Sequence, residues 1–118
     1  MANKVLNRCS CISGSKKCVS ALMRTQKQRW LPRMATGEVR GAFSMSEPGC
    51  GSDVAAITSK AVRDGDGWSL TGQKMWLTNG GSSTLVAVLV RTDEGAAEGS
   101  SVYKRMSTFL VEKPSGFG

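Results

Sequence analysis

The stretch MSEPGCGSD, residues 45–53, interrupts strand-like sequence with a proline and two closely spaced glycines. Gly49 and Gly51 leave the backbone free to turn N–H groups inward, as in the nests that bind phosphate and other anions. Ser52 adds a hydroxyl, and Asp53 stands where it could cap the short turn that follows. Glycine-rich turns between strands are also common without a ligand, and the stretch lacks the third glycine and long helix of a dinucleotide fingerprint. By itself it predicts a loop between strands, with an anion site as the second interpretation.

Strand-like segments follow one another after Gly37. The DGDG sequence at residues 64–67 has the Asp-Gly steps typical of a hairpin turn. Short strands joined by glycine-rich turns favour a mainly β fold, an antiparallel sheet that is barrel-like or sandwich-like. The predicted strands are Val39–Met45, Ile57–Arg63, Trp68–Thr71, Lys74–Thr78, Leu85–Val90 and Met106–Val111.

One helix is predicted ahead of these strands. The apolar residues between Val19 and Trp30 have the spacing of one helical stripe. Pro32 disfavours helical geometry at Leu31, so the helix should end or kink there, and the segment 34–37 is a stop signal ending in glycine. No other segment looks helical, and the last strand should leave an open sheet edge. A helix without a helical partner and a sheet without closure are typical of a piece of a larger protein.

Positive charge is concentrated at the start of the chain, which has 118 residues and allows one domain at most. The net charge is +7; residues 1–37 hold eight lysines or arginines and no acid, whereas residues 38–118 hold eight basic and nine acidic residues. A basic, acid-free segment fits a nucleic-acid-binding arm, a mitochondrial transit peptide or a solvated tail. The longest apolar run, residues 85–90, is far short of the roughly 20 residues that cross a bilayer, so we expect no membrane span.

The cysteine and histidine content limits which metal sites, disulfides and catalytic nucleophiles the chain can form. Three of the four cysteines, Cys9, Cys11 and Cys18, lie in the basic segment. They lack the paired spacing of zinc sites, and no secretory segment supports a disulfide framework. Because the chain has no histidine, neither a Ser-His-Asp nor a Cys-His nucleophile can be assembled. We expect reduced thiols and no metal.

A second stretch, GQKMWLTNGG at residues 72–81, changes the interpretation of the first. As a strand it would direct Trp76 and Thr78 to one side, just as Ser44 and Ser46 would share a side of the first predicted strand. Two such strands can form a wall for a flat polar ring. Each strand alone is an ordinary amphipathic strand.

Together the two stretches resemble the acyl-CoA dehydrogenases, flavoproteins that oxidise acyl-CoA thioesters to enoyl-CoA. AFSMSEPGCGSD, residues 42–53, resembles their first signature, which ends in Thr/Ser-Glu-Pro and Gly-x-Gly-Ser-Asp. GQKMWLTNG, residues 72–80, resembles their second, Gly-x-Lys-x-Trp-Ile/Leu-Thr-Asn. With the Asp-Gly hairpin, the later STFLVEK strand and the earlier QKQRWLPRMATGE segment, the resemblance covers residues 26–118.

The resemblance implies a division of the chain. Family members have an N-terminal helical domain, a middle β-domain and a C-terminal helical bundle. Residues 26–37 would be the end of the first domain, and residues 38–118 a partial middle β-domain carrying the FAD and acyl-CoA site. Residues 1–25 do not resemble the family and are expected to be a basic, poorly ordered or divergent segment.

The resemblance also implies FAD as the cofactor and assigns residues to it. Ser46 matches the hydroxyl at the pyrimidine edge of the isoalloxazine, Thr78 the hydroxyl near its N5 atom, and Ser52 the serine that contacts acyl-CoA. Fixed donors at the pyrimidine edge stabilise the negative charge that a flavin gains on reduction. The expected cofactor-binding residues are Phe43, Ser44, Met45, Ser46, Glu47, Pro48, Gly49, Cys50, Gly51, Ser52, Trp76, Leu77 and Thr78.

No catalytic residue is expected in this chain. In the family the base is a glutamate of the C-terminal half, and Glu47 matches a motif position whose role looks structural. The implied function is α,β-dehydrogenation of an acyl-CoA thioester with FAD as hydride acceptor, by a longer protein of which this is an inactive fragment. Its implied partners are acyl-CoA, an electron-transfer flavoprotein or similar acceptor, and further copies of the full-length protein. It would be cytoplasmic in a bacterium and in the mitochondrial matrix in a eukaryote.

Two alternatives stay open. One is a non-enzymatic β-fragment whose basic arm binds acidic partners or RNA. The other is a fragment of a related flavoprotein oxidase or monooxygenase.

The basic segment yields a first prediction. Binding of RNA through charge alone weakens steeply as salt rises, so we expect no measurable binding of a short RNA at physiological ionic strength. A gel-shift titration over a range of salt concentrations measures this. A shift that persists at physiological salt and disappears when residues 1–25 are deleted would contradict it.

Overall fold

The computed structural model describes residues 3–5, 16–92, 98–99 and 101–113, with side chains described from Arg24 onward; Cys9 and Cys11 lie outside these residues. Within this part of the chain the fold is mainly β, with one α-helix and one open sheet, which confirms the predicted class. No helix in it is long and apolar enough to cross a membrane. The elements are β1 (Asn3–Val5), α1 (Lys16–Ala35), β2 (Gly41–Ser44), β3 (Lys60–Asp64), β4 (Gly67–Thr71), β5 (Leu85–Arg91) and β6 (Met106–Glu112), with 3-10 turns at Val54–Ala56 and Val102–Arg105.

The sheet is built around β5 and its pairing is mixed, not purely antiparallel as predicted. β6 runs antiparallel along the whole of β5, and the described residues give β6 no other strand neighbour. On the opposite edge, β2 lies parallel to the first part of β5, and β3 meets its end through Lys60 and Arg91, also parallel. β4 and then β1 continue the sheet beyond β3, both antiparallel. Strand patterns reveal alternation and burial but not direction, which is why the prediction missed the parallel pairs.

The parallel arrangement positions the loop that carries the first motif. β2 leaves β5 at Ser44, opposite Val88, and β3 joins the same edge only at Lys60, opposite Arg91. Residues 45–59 are therefore an excursion from one edge of the sheet. A loop anchored at both ends by a rigid sheet is a common place for binding residues.

The hydrophobic core lies between the β3–β4 hairpin and the β5–β6 pair. Trp68 and Phe109 meet edge to face, with ring centroids 5.4 Å apart, and Ala61 and Val90 complete the buried cluster. The hairpin turns at Asp64–Gly67, as predicted, with Gly65 in the left-handed region at φ +60°.

The helix does not end at Pro32, one of the two outcomes expected there. It passes through Pro32 to Ala35, and the Pro32 carbonyl accepts a hydrogen bond from the Thr36 amide at 3.2 Å. Gly37, at φ +77°, then ends it, as the predicted stop signal indicated. The helix has a packing partner, although not a helical one.

Trp30 connects the helix to the sheet. Its side chain is buried against Val39 and Leu85, with Leu110 of β6 alongside. An ion pair of 3.2 Å joins Arg29 to Glu112 of the same strand. The partner of the helix is the sheet, which no helical pattern in the sequence could indicate.

The core yields the second prediction. Phe109 is 1% exposed, so Phe109→Ala should lower the free energy of unfolding by about 3–5 kcal/mol, because it leaves a cavity beside Trp68. Urea titration measures the change. Tyr103→Ala is the matched control: Tyr103 is an exposed aromatic residue, and its loss should cost less than about 0.5 kcal/mol. Equal effects of the two substitutions would contradict the core assignment.

Candidate functional site

The loop after β2 closes on itself at the first motif. The Glu47 amide donates to the Cys50 carbonyl at 2.8 Å, and the Cys50 amide donates back to the Glu47 carbonyl at 3.2 Å. Gly49 and Gly51 are not among the glycines with positive φ, and a Cβ at either would meet no atom within 4 Å. The Cys50 amide is therefore already used within the loop and is not available to the anion site that was the second interpretation of this stretch. The glycines instead leave bare backbone facing open space, which permits close approach of a ligand.

The carboxylate of Glu47 is buried beneath this loop and bonded on both oxygens. Its Oε2 atom accepts from the amide of Thr58 at 2.8 Å and from the Thr58 hydroxyl at 2.7 Å. Its Oε1 atom accepts from the Ser59 amide at 3.0 Å and from the Lys74 ammonium at 2.8 Å. The side chain of Glu47 is only 3% exposed. One carboxylate thus joins the loop, the segment before β3 and the second motif.

These contacts determine the charge state of Glu47. Burial by itself would raise the pKa of the carboxyl, but the hydrogen bonds from Lys74, Ser59 and Thr58 lower that pKa by more, well below its usual range. A general base needs a pKa near the working pH and free reach to its proton. Glu47 has neither, so its contribution here is to hold the loop.

The second motif is not a strand. Residues 72–77 are irregular and lead into a turn, and Trp76 and Asn79 have left-handed backbones at φ 59° and 62°. The expected common strand face for Trp76 and Thr78 is therefore wrong. The segment is bound to the first loop instead of to a strand: the Met75 amide donates to the Ser46 carbonyl at 2.9 Å, and the Lys74 ammonium donates to the Met45 carbonyl at 2.9 Å.

Two smaller expectations about the first motif also fail. β2 ends at Ser44, whose side chain is buried, while Ser46 lies beyond the strand and is partly exposed, so the two hydroxyls do not share a strand face. Asp53 precedes the 3-10 turn Val54–Ala56 but makes no capping hydrogen bond with its side chain. In the case of the two serines, the loop departs from the sheet earlier than the alternation of the sequence suggests.

The two motifs together form an open groove of about 350 Å³. Trp76, 85% exposed, forms one side of it. A bulky residue with positive φ is strained, and strain of this kind clusters at binding sites. An exposed aromatic face beside bare backbone and hydroxyl groups is suited to a flat, partly polar ring. The loop side is lined by Ser46, Glu47, Pro48, Gly49, Cys50 and Gly51.

Other candidate residues lie outside this groove. Phe43 and Ser52 are exposed, Met45 and Leu77 are partly buried, and Thr78 is exposed one residue beyond Leu77. The sequence analysis did not predict the roles of Thr58, Ser59 and Lys74, which donate hydrogen bonds to the Glu47 carboxylate. The signal for Lys74 was its fixed place in Gly-x-Lys-x-Trp; nothing in the sequence marks Thr58 or Ser59.

A second cavity, of about 280 Å³, lies between α1 and the sheet. Trp30, Leu31 and Met34 of the helix face Leu85 and Leu110 across it. Leu31 is 55% exposed. Ala42 is the one motif residue in its described lining, which is mainly apolar apart from Gln26 and Lys27.

The family assignment follows from the match to known proteins. A family model described as the acyl-CoA dehydrogenase middle domain matches residues 42–118. The chain belongs to the acyl-CoA dehydrogenase family. This confirms the resemblance carried by the motifs at residues 42–53 and 72–80.

Relatives in this family are much longer than the chain. The mitochondrial isovaleryl-CoA dehydrogenase of Pongo abelii is 38% identical over 103 residues, 84% of this chain and 24% of the relative. An acyl-CoA dehydrogenase from Geobacillus kaustophilus is 43% identical with a TM-score of 0.69, covering 75% of this chain and 23% of that one. The FAD complex of PigA is 25% identical with a TM-score of 0.64, covering 87% and 24%. The chain spans about a quarter of the length of each of these three relatives.

The buried carboxylate of this acyl-CoA dehydrogenase chain yields the third prediction. Glu47→Gln keeps the shape of the side chain but leaves the Lys74 ammonium buried without its counter-ion. We expect the free energy of unfolding at neutral pH to fall by about 3–5 kcal/mol, as when one partner of a buried pair is removed. Urea titration measures it.

The same variant tests the pH dependence. The pKa of Glu47 is lowered in the folded state, so above the ordinary value of 4.5 the carboxyl is ionised both folded and unfolded, and its stabilisation is complete. As the pH falls from about 5 to 2, the unfolded chain takes up a proton that the folded chain resists, and stability is lost. Glu47→Gln lacks this carboxyl, so its stability should fall less steeply over the same range. Parallel pH profiles for the two proteins would contradict the assignment.

Proposed function

We propose that residues 42–80 form a cofactor-facing wall of an FAD-dependent acyl-CoA dehydrogenase that converts an acyl-CoA thioester to its enoyl-CoA. The observation that carries the proposal is the exposed, strained Trp76 beside the loop at residues 46–51. Bound FAD would supply the hydride acceptor. The chain's own residues would bind, orient and exclude water.

The residues of the groove fit a flavin in shape and chemistry. Trp76 offers an aromatic face, the two glycines leave room for close approach, and the partly exposed Ser46 carries a hydroxyl at the rim. Behind them the charges of Glu47 and Lys74 cancel, so the wall presents neutral hydrogen-bonding groups. A positioned hydroxyl is the kind of group that stabilises developing negative charge without having to reorganise.

Individual roles extend this proposal. Ser46 would donate to the pyrimidine edge of the flavin, and Thr78 would place its exposed hydroxyl near N5. Ser52, exposed just past the groove, would contact the acyl-CoA. The second motif is hydrogen-bonded to the first loop, with the Met75 amide donating to the Ser46 carbonyl, which supports a shared task.

Proton abstraction from the substrate would need a group from outside this chain. Glu47 is the one carboxylate among the described residues that line the groove, and its low pKa makes it a poor base. We therefore propose that the base belongs to another part of a longer protein. Chain length and branching of the acyl group would be set there too.

The remaining proposals concern the substrate, the protein partners and the cellular location. Acyl-CoA is the proposed substrate, an electron-transfer flavoprotein or similar protein the proposed electron acceptor, and a homo-oligomer the proposed assembly. The proposed location is the mitochondrial matrix in a eukaryote, in keeping with the mitochondrial relative, or the cytoplasm in a bacterium. Nucleic acid is not a proposed partner.

The fourth prediction tests the wall in a complete enzyme. Residues 42–113 are transferred into the acyl-CoA dehydrogenase of Geobacillus kaustophilus in place of its matching segment. We expect the chimera to retain FAD and to reduce it with an acyl-CoA. Ser46→Ala and Thr78→Val should each slow flavin reduction by up to about a hundredfold, because each removes one donor to developing charge. Trp76→Ala should weaken FAD binding through lost contact area.

Stopped-flow absorbance measures reduction, and desalting followed by a flavin spectrum measures retention. Thr108→Val, an exposed threonine on β6, is the matched control and should behave as the parent chimera. Unchanged reduction in the Ser46 and Thr78 variants, with unchanged FAD retention in the Trp76 variant, would refute the site.

The 118-residue chain serves as a negative control in the same assays. It should retain no FAD after desalting and show no turnover, because it lacks a base and exposes apolar residues such as Leu31 and Met34. A yellow, monomeric protein with turnover would contradict the proposal that the catalytic base belongs to another part of a longer protein.

A further inference from the structure

Lys74 connects the two loops of the groove. Its side chain is 11% exposed, and its ammonium donates to the Met45 carbonyl at 2.9 Å and to Oε1 of Glu47 at 2.8 Å. Both acceptors belong to the first loop. Directly beside this contact, the Met75 amide donates to the Ser46 carbonyl at 2.9 Å.

Glu47 and Lys74 have different tasks in this arrangement. The Oε2 atom of Glu47 accepts hydrogen bonds from Thr58, so Glu47 joins the start of the first loop to its end, where the chain enters β3. The two hydrogen bonds of Lys74 reach only the first loop, so Lys74 attaches the second loop to the first. Removing Lys74 should therefore free the second loop more than it loosens the sheet.

The backbone of Trp76 shows what this attachment accomplishes. Two residues after Lys74, Trp76 has φ 59°, a conformation that costs a bulky residue free energy and persists only when neighbouring contacts impose it. The segment is also held at its far end, where the Lys113 ammonium donates to the Gly80 carbonyl at 2.7 Å. At its near end Gly72 lies against Ser59 so closely that a Cβ would sit 2.1 Å from the Ser59 hydroxyl. Between these ends, Lys74 and the Met75 amide are what hold the chain to the first loop.

We propose that Lys74 is a positioning residue of the groove: its ammonium holds the second loop on the first and imposes the left-handed backbone that keeps the Trp76 ring exposed over residues 46–51. That this attachment matters for flavin binding rests on the proposed function. The attachment of the second loop to the first by Lys74 does not. Lys74 itself touches neither cofactor nor substrate in this scheme. It determines where the aromatic face stands.

The test is residue-resolved hydrogen exchange in the 118-residue chain, which needs no flavin and so separates this proposal from the proposed function. Because Lys74→Met, like Glu47→Gln, breaks the buried pair and lowers the free energy of unfolding, exchange is compared between these two variants. The Met75 amide should exchange about tenfold faster or more in Lys74→Met than in Glu47→Gln, while the amides of the β5–β6 ladder differ less than about threefold between them. Lys60→Met is the matched control, because Lys60 is an exposed lysine at the start of β3. It should leave the Met75 amide unchanged.

Two further variants test the mechanism. Lys74→Arg keeps a cation that can donate to both acceptors, so Met75 exchange should return to within about threefold of the original chain. Trp76→Gly removes the backbone strain, so the effect of Lys74→Met on Met75 should shrink by about threefold or more in that background.

Each other outcome overturns the proposal. An unchanged Met75 amide in Lys74→Met would mean that Lys74 does not hold the loop. An equal acceleration of Met75 and the β5–β6 ladder, or complete unfolding, would make Lys74 a general stability residue. An undiminished effect in the Trp76→Gly background would remove the link to the left-handed backbone.

Discussion

The groove depends on one buried carboxylate. A charged group out of contact with water is costly unless donors surround it, and Glu47 meets this requirement with the amide and hydroxyl of Thr58, the amide of Ser59 and the ammonium of Lys74. Those donors come from two separate stretches of chain and Glu47 from a third, so satisfying the charge also sets their relative positions. Several contacts therefore fix the conformation of the first loop. A loop fixed in this way can hold the neighbouring Trp76 in a strained backbone conformation.

The topology of the sheet explains why the first loop, which carries Glu47, leaves the sheet. Because β2 and β3 lie along one edge of β5, both parallel to it, the fifteen residues between them must leave the sheet and come back to the same edge. A hairpin would have joined two antiparallel strands with a tight turn and left no such excursion. The Trp68–Phe109 core then keeps the base of the loop rigid, while helix α1 covers another part of the sheet through Trp30. Rigid strands with irregular loops at one edge are a common basis for a binding site.

Local sequence patterns predicted much of this molecule. The glycine that ends the helix, the Asp-Gly hairpin, β5 and β6 were all predicted, because each depends on neighbouring residues: a left-handed glycine, a turn of known chemistry or an apolar run. The errors have a common cause. Residues 74–78 are irregular and two pairings are parallel, and both are decided by contacts with distant parts of the chain.

The sequence by itself determined the family, the chemical character of the two motifs and the absence of any histidine-based nucleophile, since these depend only on which residues are present and in what order. Only the tertiary structure decided that Glu47 is a buried anchor, that Lys74 is its partner and that Trp76 stands exposed in a left-handed conformation. The physical reason is distance along the chain: Lys74 is 27 residues from Glu47, and Thr58 is 11. The state of a buried charge depends on which donors the fold brings to it, and no local pattern contains that information.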